Sequence, residues 1–177
     1  MRFNSSPNTL KRRIRKFIKR FANFFGIQVQ RYSKFNDPQF LFDEILKKKG
    51  INIVYDVGAN IGLFSIFLRE IQYKKKIVCF EPILEAYDQL NKNLKKHNIN
   101  IPPRSAVGDM NGKININVSG HTGCSSILTM RDYFKDICPG SDYKSNQEVR
   151  MITLDEVFNE YLSSDSRLFL KIDTQGY

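Results

Sequence analysis

Apolar positions along this chain recur with two different periods, and the switches between them outline its elements. From Leu10 to Phe25 the apolar residues, Ile14, Phe17, Ile18 and Phe21 among them, fall three and four apart. That spacing predicts a helix with one apolar stripe. After "NDPQF", Asp37 is placed to cap and Pro38 suits a first helical position, so 38–48 reads as a second helix stopped by Gly50. Beyond it, "INIVYDV" is a short β-rich run, 63–71 is helical, and "KIVCFEP" is a strand ended by Pro82. Residues 84–97 repeat the helical spacing at Leu84, Tyr87, Leu90 and Leu94, and "RSAVGD" reads as a third strand. Strands alternating with helices predict an α/β fold: a mainly parallel sheet with helices on both faces, binding ligands beyond the carboxyl ends of its strands.

Residues 112–128 break the rhythm. "GKININVSG" alternates Ile114, Ile116 and Val118 with polar positions, and "GCSSIL" follows after a turn, so the pair reads as an inserted β-hairpin. "VRMITL" resumes as a strand, Asp155 opens another helix, and "RLFLKID" is a last buried strand.

Charge divides the chain in two. Residues 1–36 hold ten bases and no acid, which leaves 18 bases against 18 acids in 37–177. The expected organisation is a basic amphipathic leader, 1–36, followed by a neutral α/β domain, 37–177. The polar side of the leader is nearly all Lys and Arg, so residues 10–25 suit peripheral contact with an anionic membrane surface. Docking of its phenylalanines on the domain is an equal alternative, and an organelle-targeting leader is a third. It does not span a bilayer, because "FANFFGIQV" is short and interrupted by Asn23 and Gln28. A neutral domain without an N/D-P-P-Y motif argues against a nucleic-acid partner. Cys79, Cys124 and Cys138 are too widely spaced for a zinc site, no metal is expected, and Cys79 reads as core filler in a reduced, cytoplasmic protein.

The candidate chemistry begins at "IVYDVGANIGLF". Its D-x-G-x-N-x-G order lacks the middle glycine of a dinucleotide fingerprint and the lysine of a phosphate-gripping loop. Asp56 at the strand end would repel a diphosphate and attract an ammonium, which favours S-adenosylmethionine over NAD or ATP. Glu81, ending the second strand 19 residues beyond Gly62, is placed to accept both ribose hydroxyls. Asp109, ending the third strand, is placed to accept from an adenine amino group, or else begins the turn "GDMNG".

"VYDVGANIGLFS", "FEP", "SAVGD", "SSIL", "ITLDEV" and "LFLKIDTQGY" resemble the successive motifs of FkbM-type methyltransferases, from about residue 53 to the last. The resemblance implies a Rossmann-like class I methyltransferase that uses S-adenosylmethionine to methylate oxygen on sugars, glycans or natural products. Asp56, Gly58, Asn60, Gly62 and Glu81 match its donor-binding motif, and Lys171 and Asp173 match the strand end near the reacting methyl. In that family the last strand is followed by a Glu and further strands, so the expectation here is a domain truncated at its C-terminus with an unpaired sheet edge. Asp173 is the first candidate for the base that deprotonates the acceptor, His121 the second, and Lys171 a cation for a developing alkoxide. The competing class is a nucleoside-binding module without chemistry. The identity of the acceptor and the oligomeric state are not legible.

Overall fold

The computed structural model describes residues 7–27, 37–120, 122–128 and 140–174. His121, Cys138 and the final "QGY" lie outside the described residues. The chain divides into two compact units, 1–41 and 42–177, a division that falls inside the second helix.

The first unit contains helix α1, Pro7–Phe24, and the start of α2, Pro38–Lys48. Asp37 caps α2 as expected, its Oδ1 accepting from the Gln39 N–H at 2.9 Å. No helix among the described residues is long and apolar enough to cross a membrane.

The second unit is built on β1 (Ile53–Val57), α3 (Leu63–Glu70), β2 (Lys76–Phe80), α4 (Leu84–Leu94) and β6 (Leu168–Ile172). The three strands form a parallel sheet in the order β2-β1-β6, with Ile53 level with both Lys76 and Leu168. Because side chains alternate across a strand, Val54, Ile77 and Cys79 face one side, where Leu46 of α2, Leu68 of α3 and Leu90 and Leu94 of α4 cover them. Tyr55, Val57, Val78 and Phe80 face the other, under Ile152 and Val157. β1 and all but the first residue of β2 are therefore buried on both faces, which is why they read as continuous apolar runs, while β6 is half-buried to exposed. Cys79 is a buried free thiol whose pKa burial pushes up to about 12, in keeping with core filler.

Between α4 and β6 lie β3 (Ala106–Val107), β4 (Gly112–Ser119), β5 (Tyr143–Ile152) and a single helical turn, α5 (Phe158–Tyr161). The antiparallel partner of β4 is β5, along its whole length, whereas "GCSSIL" contributes one antiparallel bridge, Asn117 to Ser126. The strand expected at "VRMITL" begins earlier, at Tyr143, because residues 144–148 are all polar and carry no apolar signal although they pair with β4. β3 pairs β5 in parallel, giving a second sheet ordered β3-β5-β4. Ile83 and Ala86 at the start of α4 pack on that sheet, against Ile116, Val118 and Met151. Gln147 of β5 fastens the junction: its Oε1 accepts from the Leu84 N–H at 3.0 Å and its Nε2 donates to Glu85 Oε2 at 2.8 Å. Among the described residues no strand pairs the outer edge of β6, where Leu170 and Ile172 remain 38% and 60% exposed.

Candidate functional site

The loop after β1 is strapped to β2. The N–H groups of Gly58 and Ala59 both donate to the Phe80 carbonyl at 3.0 Å, and the Asn60 N–H donates to Glu81 Oε2 at 2.7 Å. The second Glu81 oxygen accepts from the Ile83 N–H at 2.9 Å. Glu81 is only 5% exposed, and burial raises its pKa above the ordinary 4.5, opposed by those two N–H groups and by Lys171.

Gly58 is required by close approach. It sits at φ +70, and a Cβ there would lie 2.0 Å from the Asp173 carbonyl oxygen. The Asp173 N–H in turn donates to the Val57 carbonyl at 3.0 Å, so the ends of β1 and β6 are held together at this glycine. Gly62, at φ +88, serves packing: a Cβ there would meet Leu90 Cδ1 at 2.8 Å, and it opens α3.

A cleft of about 90 Å³ opens beyond these strand ends, with Gly58, Asn60, Glu81 and Asp173 on one side and Ser105, Gly123 and residues 125–127 among those on the other. That volume is well below the roughly 300–1,000 Å³ of pockets that enclose a drug-sized ligand. A wider recess of about 430 Å³ shares Val57, Val107 and Thr174 with it, and Asp109 and Asp155 border that recess. A ligand of nucleoside size that reaches Glu81 therefore extends beyond the smaller cleft.

The expected site residues divide accordingly. Gly58, Asn60, Glu81 and Asp173 come together at the cleft, Asp109 stands exposed on the adjoining recess, and His121 lies outside the described residues. Asp56 is placed differently. It points to the helix-covered face of the sheet, is 0% exposed and does not line the cleft. Its Oδ2 accepts from Ser65 Oγ at 3.0 Å, and its Oδ1, which accepts no hydrogen bond, lies 3.0 Å from Lys171 Nζ. Its charge is thus balanced inside the protein and is not presented to a ligand ammonium. The same contacts occupy Lys171, whose Nζ donates to the Gly58 carbonyl at 2.9 Å and lies 3.7 Å from Asp173 Oδ2. Lys171 does not line the cleft; its ammonium links β1, the glycine loop and Asp173.

Sequence reasoning missed Ser65, the helical hydroxyl that completes the Asp56 pair, and the wall formed by 125–127. The wall carried a usable signal, since "SSIL" is among the motifs that resemble the methyltransferases. Ser65 carried a fainter one, lying three residues past Gly62 and hence one helical turn into α3.

The profile of the methyltransferase FkbM domain matches residues 56–177, more than half of the chain. The chain belongs to the FkbM methyltransferase family. Among curated relatives of this FkbM domain, the methyltransferase sdnD of Sordaria araneosa is 36% identical over 66 residues, 33% of this chain and 26% of that protein. The AMB antimetabolite synthetase AmbE of Pseudomonas aeruginosa is 34% identical over 72 residues, 35% of this chain and 3% of that protein. The matched segments thus span about a quarter of the first and a small fraction of the second. A crystal structure of a candidate caffeoyl-CoA O-methyltransferase from Staphylococcus aureus aligns at 13% identity over 49% of this chain and 42% of that one. Its TM-score is 0.32, too low to carry an argument.

Proposed function

We propose that this FkbM domain is an S-adenosylmethionine-dependent O-methyltransferase acting on a hydroxyl of a sugar, glycan or related natural product. The observation that carries the donor assignment is Glu81, a buried acid at a strand end whose two oxygens are each anchored by one backbone N–H while it lines the cleft. A carboxylate so fixed keeps lone pairs for two neighbouring ribose hydroxyls. With Asp173 it makes the cleft acidic, which favours a ligand carrying an ammonium and a sulfonium over a diphosphate. The residues present therefore fit the donor, through Glu81 and not through Asp56. Family membership supports methyl transfer, and a natural-product acceptor accords with the antimetabolite synthetase among the relatives.

When bound, the donor supplies an electrophilic methyl group. What the protein adds is alignment and proton handling. The Gly58–Asn60 loop, strapped to Phe80 and Glu81, is a rigid rim against which a donor is held. Asp173 is 57% exposed at its side chain and accessible to an acceptor hydroxyl, whose proton it takes. Positioned bases of this kind contribute about 10²–10⁴-fold. Lys171 keeps that carboxylate in place from behind.

The test is transfer of isotopically labelled methyl from S-adenosylmethionine to surface-glycan extracts by the full chain and by Asp173→Asn. The proposal expects label on glycan with the wild type, and a loss of about 10²–10⁴-fold in the variant with donor binding retained. Loss of donor binding in Asp173→Asn sinks the base role. Donor binding by the wild type without any transfer selects the non-catalytic binding module instead.

A further inference from the structure

The neutral total charge of residues 37–177 conceals a strong segregation. Because Ile53, Lys76 and Leu168 are level, the segments preceding the three parallel strands share one edge of the sheet. Hydrogen bonds tie those segments together. Arg69 donates to the carbonyls of Tyr73 and Lys75 on one side and of His97 and Asn98 on the other. Asn52 and Arg167 are joined by two bonds, of 3.1 and 2.8 Å, and Lys76 Nζ donates to the Tyr161 carbonyl at 3.0 Å. The edge so assembled carries the exposed lysines of 47–49, 74–76 and 95–96, with Arg167. Acids at this edge are outnumbered: Glu44, Glu70, Glu160, Asp165 and Asp43, the last already paired with Lys47 at 2.5 Å. The cleft with Glu81 and Asp173 lies at the opposite edge, beyond the strand ends.

The first unit has a matching chemistry. On α1, Phe17, Phe21 and Phe24 are 70%, 60% and 83% exposed, and Ile14 and Ile18 are each 49% exposed. The rings run into one another, Phe17 to Phe21 at 6.3 Å and Phe21 to Phe25 at 5.1 Å, so the stripe is continuous. No residue of α1 is acidic. A continuous exposed apolar stripe marks an interaction site. Aliphatic Ile14 and Ile18 within it suit a hydrocarbon boundary and offer nothing to a stacked base, while the basic flanks suit anionic headgroups.

We propose that this protein is peripheral at anionic lipid surfaces: the aromatic stripe of α1 enters the headgroup boundary, and the lysine-rich edge of the parallel sheet binds lipid phosphates. The cleft edge then faces water, where a soluble acceptor reaches it. The inference does not depend on methyl transfer, since both surfaces lie outside the cleft.

The test is co-sedimentation of the full chain with phosphatidylcholine vesicles with and without phosphatidylserine, at low and high salt, alongside duplex DNA binding. Binding is expected only with phosphatidylserine and should weaken with salt. Phe17→Ala/Phe21→Ala should abolish it. Each base near an anionic surface contributes about fivefold, so Lys74→Ala/Lys95→Ala should weaken it by about 25-fold, with thermal melting of both variants unchanged. The proposal is overturned by no sedimentation with phosphatidylserine at low salt, or by a lysine variant that binds like the wild type. Duplex DNA binding that survives loss of the phenylalanines, without vesicle binding, overturns it as well.

Discussion

Replacing Lys171 by Met would leave the Asp56 carboxylate buried with Ser65 as its remaining partner. Asp56 is 0% exposed, and the Lys171 side chain is 22% exposed. Removing one partner of a buried ion pair costs about 3–5 kcal/mol, because the remaining charge is stranded in a poorly solvating interior. Partial access of water to the lysine end places the loss near the lower bound, about 3 kcal/mol, to which the lost bond to the Gly58 carbonyl adds about 1 kcal/mol. Urea denaturation of the full chain measures it, with the m-value as a check that the unfolded state is unchanged. Lys171→Met/Asp56→Asn removes the stranded charge while an amide still meets Ser65, and should recover all but about 1 kcal/mol. A Lys171→Met protein within about 0.5 kcal/mol of wild type, or a double variant no more stable than the single, would refute the pairing and with it the placement of Asp56.

Gly58→Ala combines a left-handed backbone, costing about 1–2 kcal/mol, with a Cβ 2.0 Å from the Asp173 carbonyl oxygen. It should destabilise by about 3 kcal/mol or more in thermal or urea melts, whereas Gly112→Ala, with no atom within 4 Å and no positive φ, should change little. Glu81 should make donor affinity acid-sensitive at a pH above the usual carboxylate range. Its raised pKa means that protonation, and loss of an ionised acceptor for ribose hydroxyls, begins above 4.5. The same shift has a definite sign in stability. Between 4.5 and the raised value the folded state keeps a proton that the unfolded state has released, so this group's contribution falls as pH rises through that window. Titrations of donor binding and urea midpoints across pH 4 to 8, an interval chosen to bracket the ordinary carboxyl and histidine ranges, check both. A pH-independent affinity would contradict the role of Glu81.

The parallel sheet was legible because β1 and β2 are buried on both faces, β6 is itself an apolar run, and the helices obey a clean three-and-four spacing: β1, β2 and β6 and the helices α2 to α4 lie close to where the apolar pattern puts them. The second sheet was harder to read. In β5 residues 144–148 are all polar and mostly exposed, even where Ser145 and Gln147 pair with the buried Val118 and Ile116, so they mimic a loop, and the partner of β4 lies across a long stretch of chain instead of at the adjacent "GCSSIL". At the site, Glu81 and Gly58 could be found because strand ends and positive-φ glycines leave signatures in sequence. The side to which Asp56 points could not, since both faces of β1 are buried and apolar, nor could its neighbour, which the pairing of β1 with β6 makes Lys171. Charge segregation at the strand starts was hidden for a similar reason: lysine runs far apart in sequence meet at one edge of the folded sheet.

The central claim is that Glu81 holds the ribose of a phosphate-free nucleoside donor in the cleft beyond β1 and β2. Isothermal titration of the full chain with S-adenosylhomocysteine, beside NAD and ATP, tests it most directly. The account predicts binding of S-adenosylhomocysteine alone, weakened by about 10- to 100-fold in Glu81→Ala, as expected for hydrogen bonds to a charged group worth about 1.5–3 kcal/mol. Tight binding of NAD or ATP, or S-adenosylhomocysteine affinity unchanged in Glu81→Ala, would contradict it.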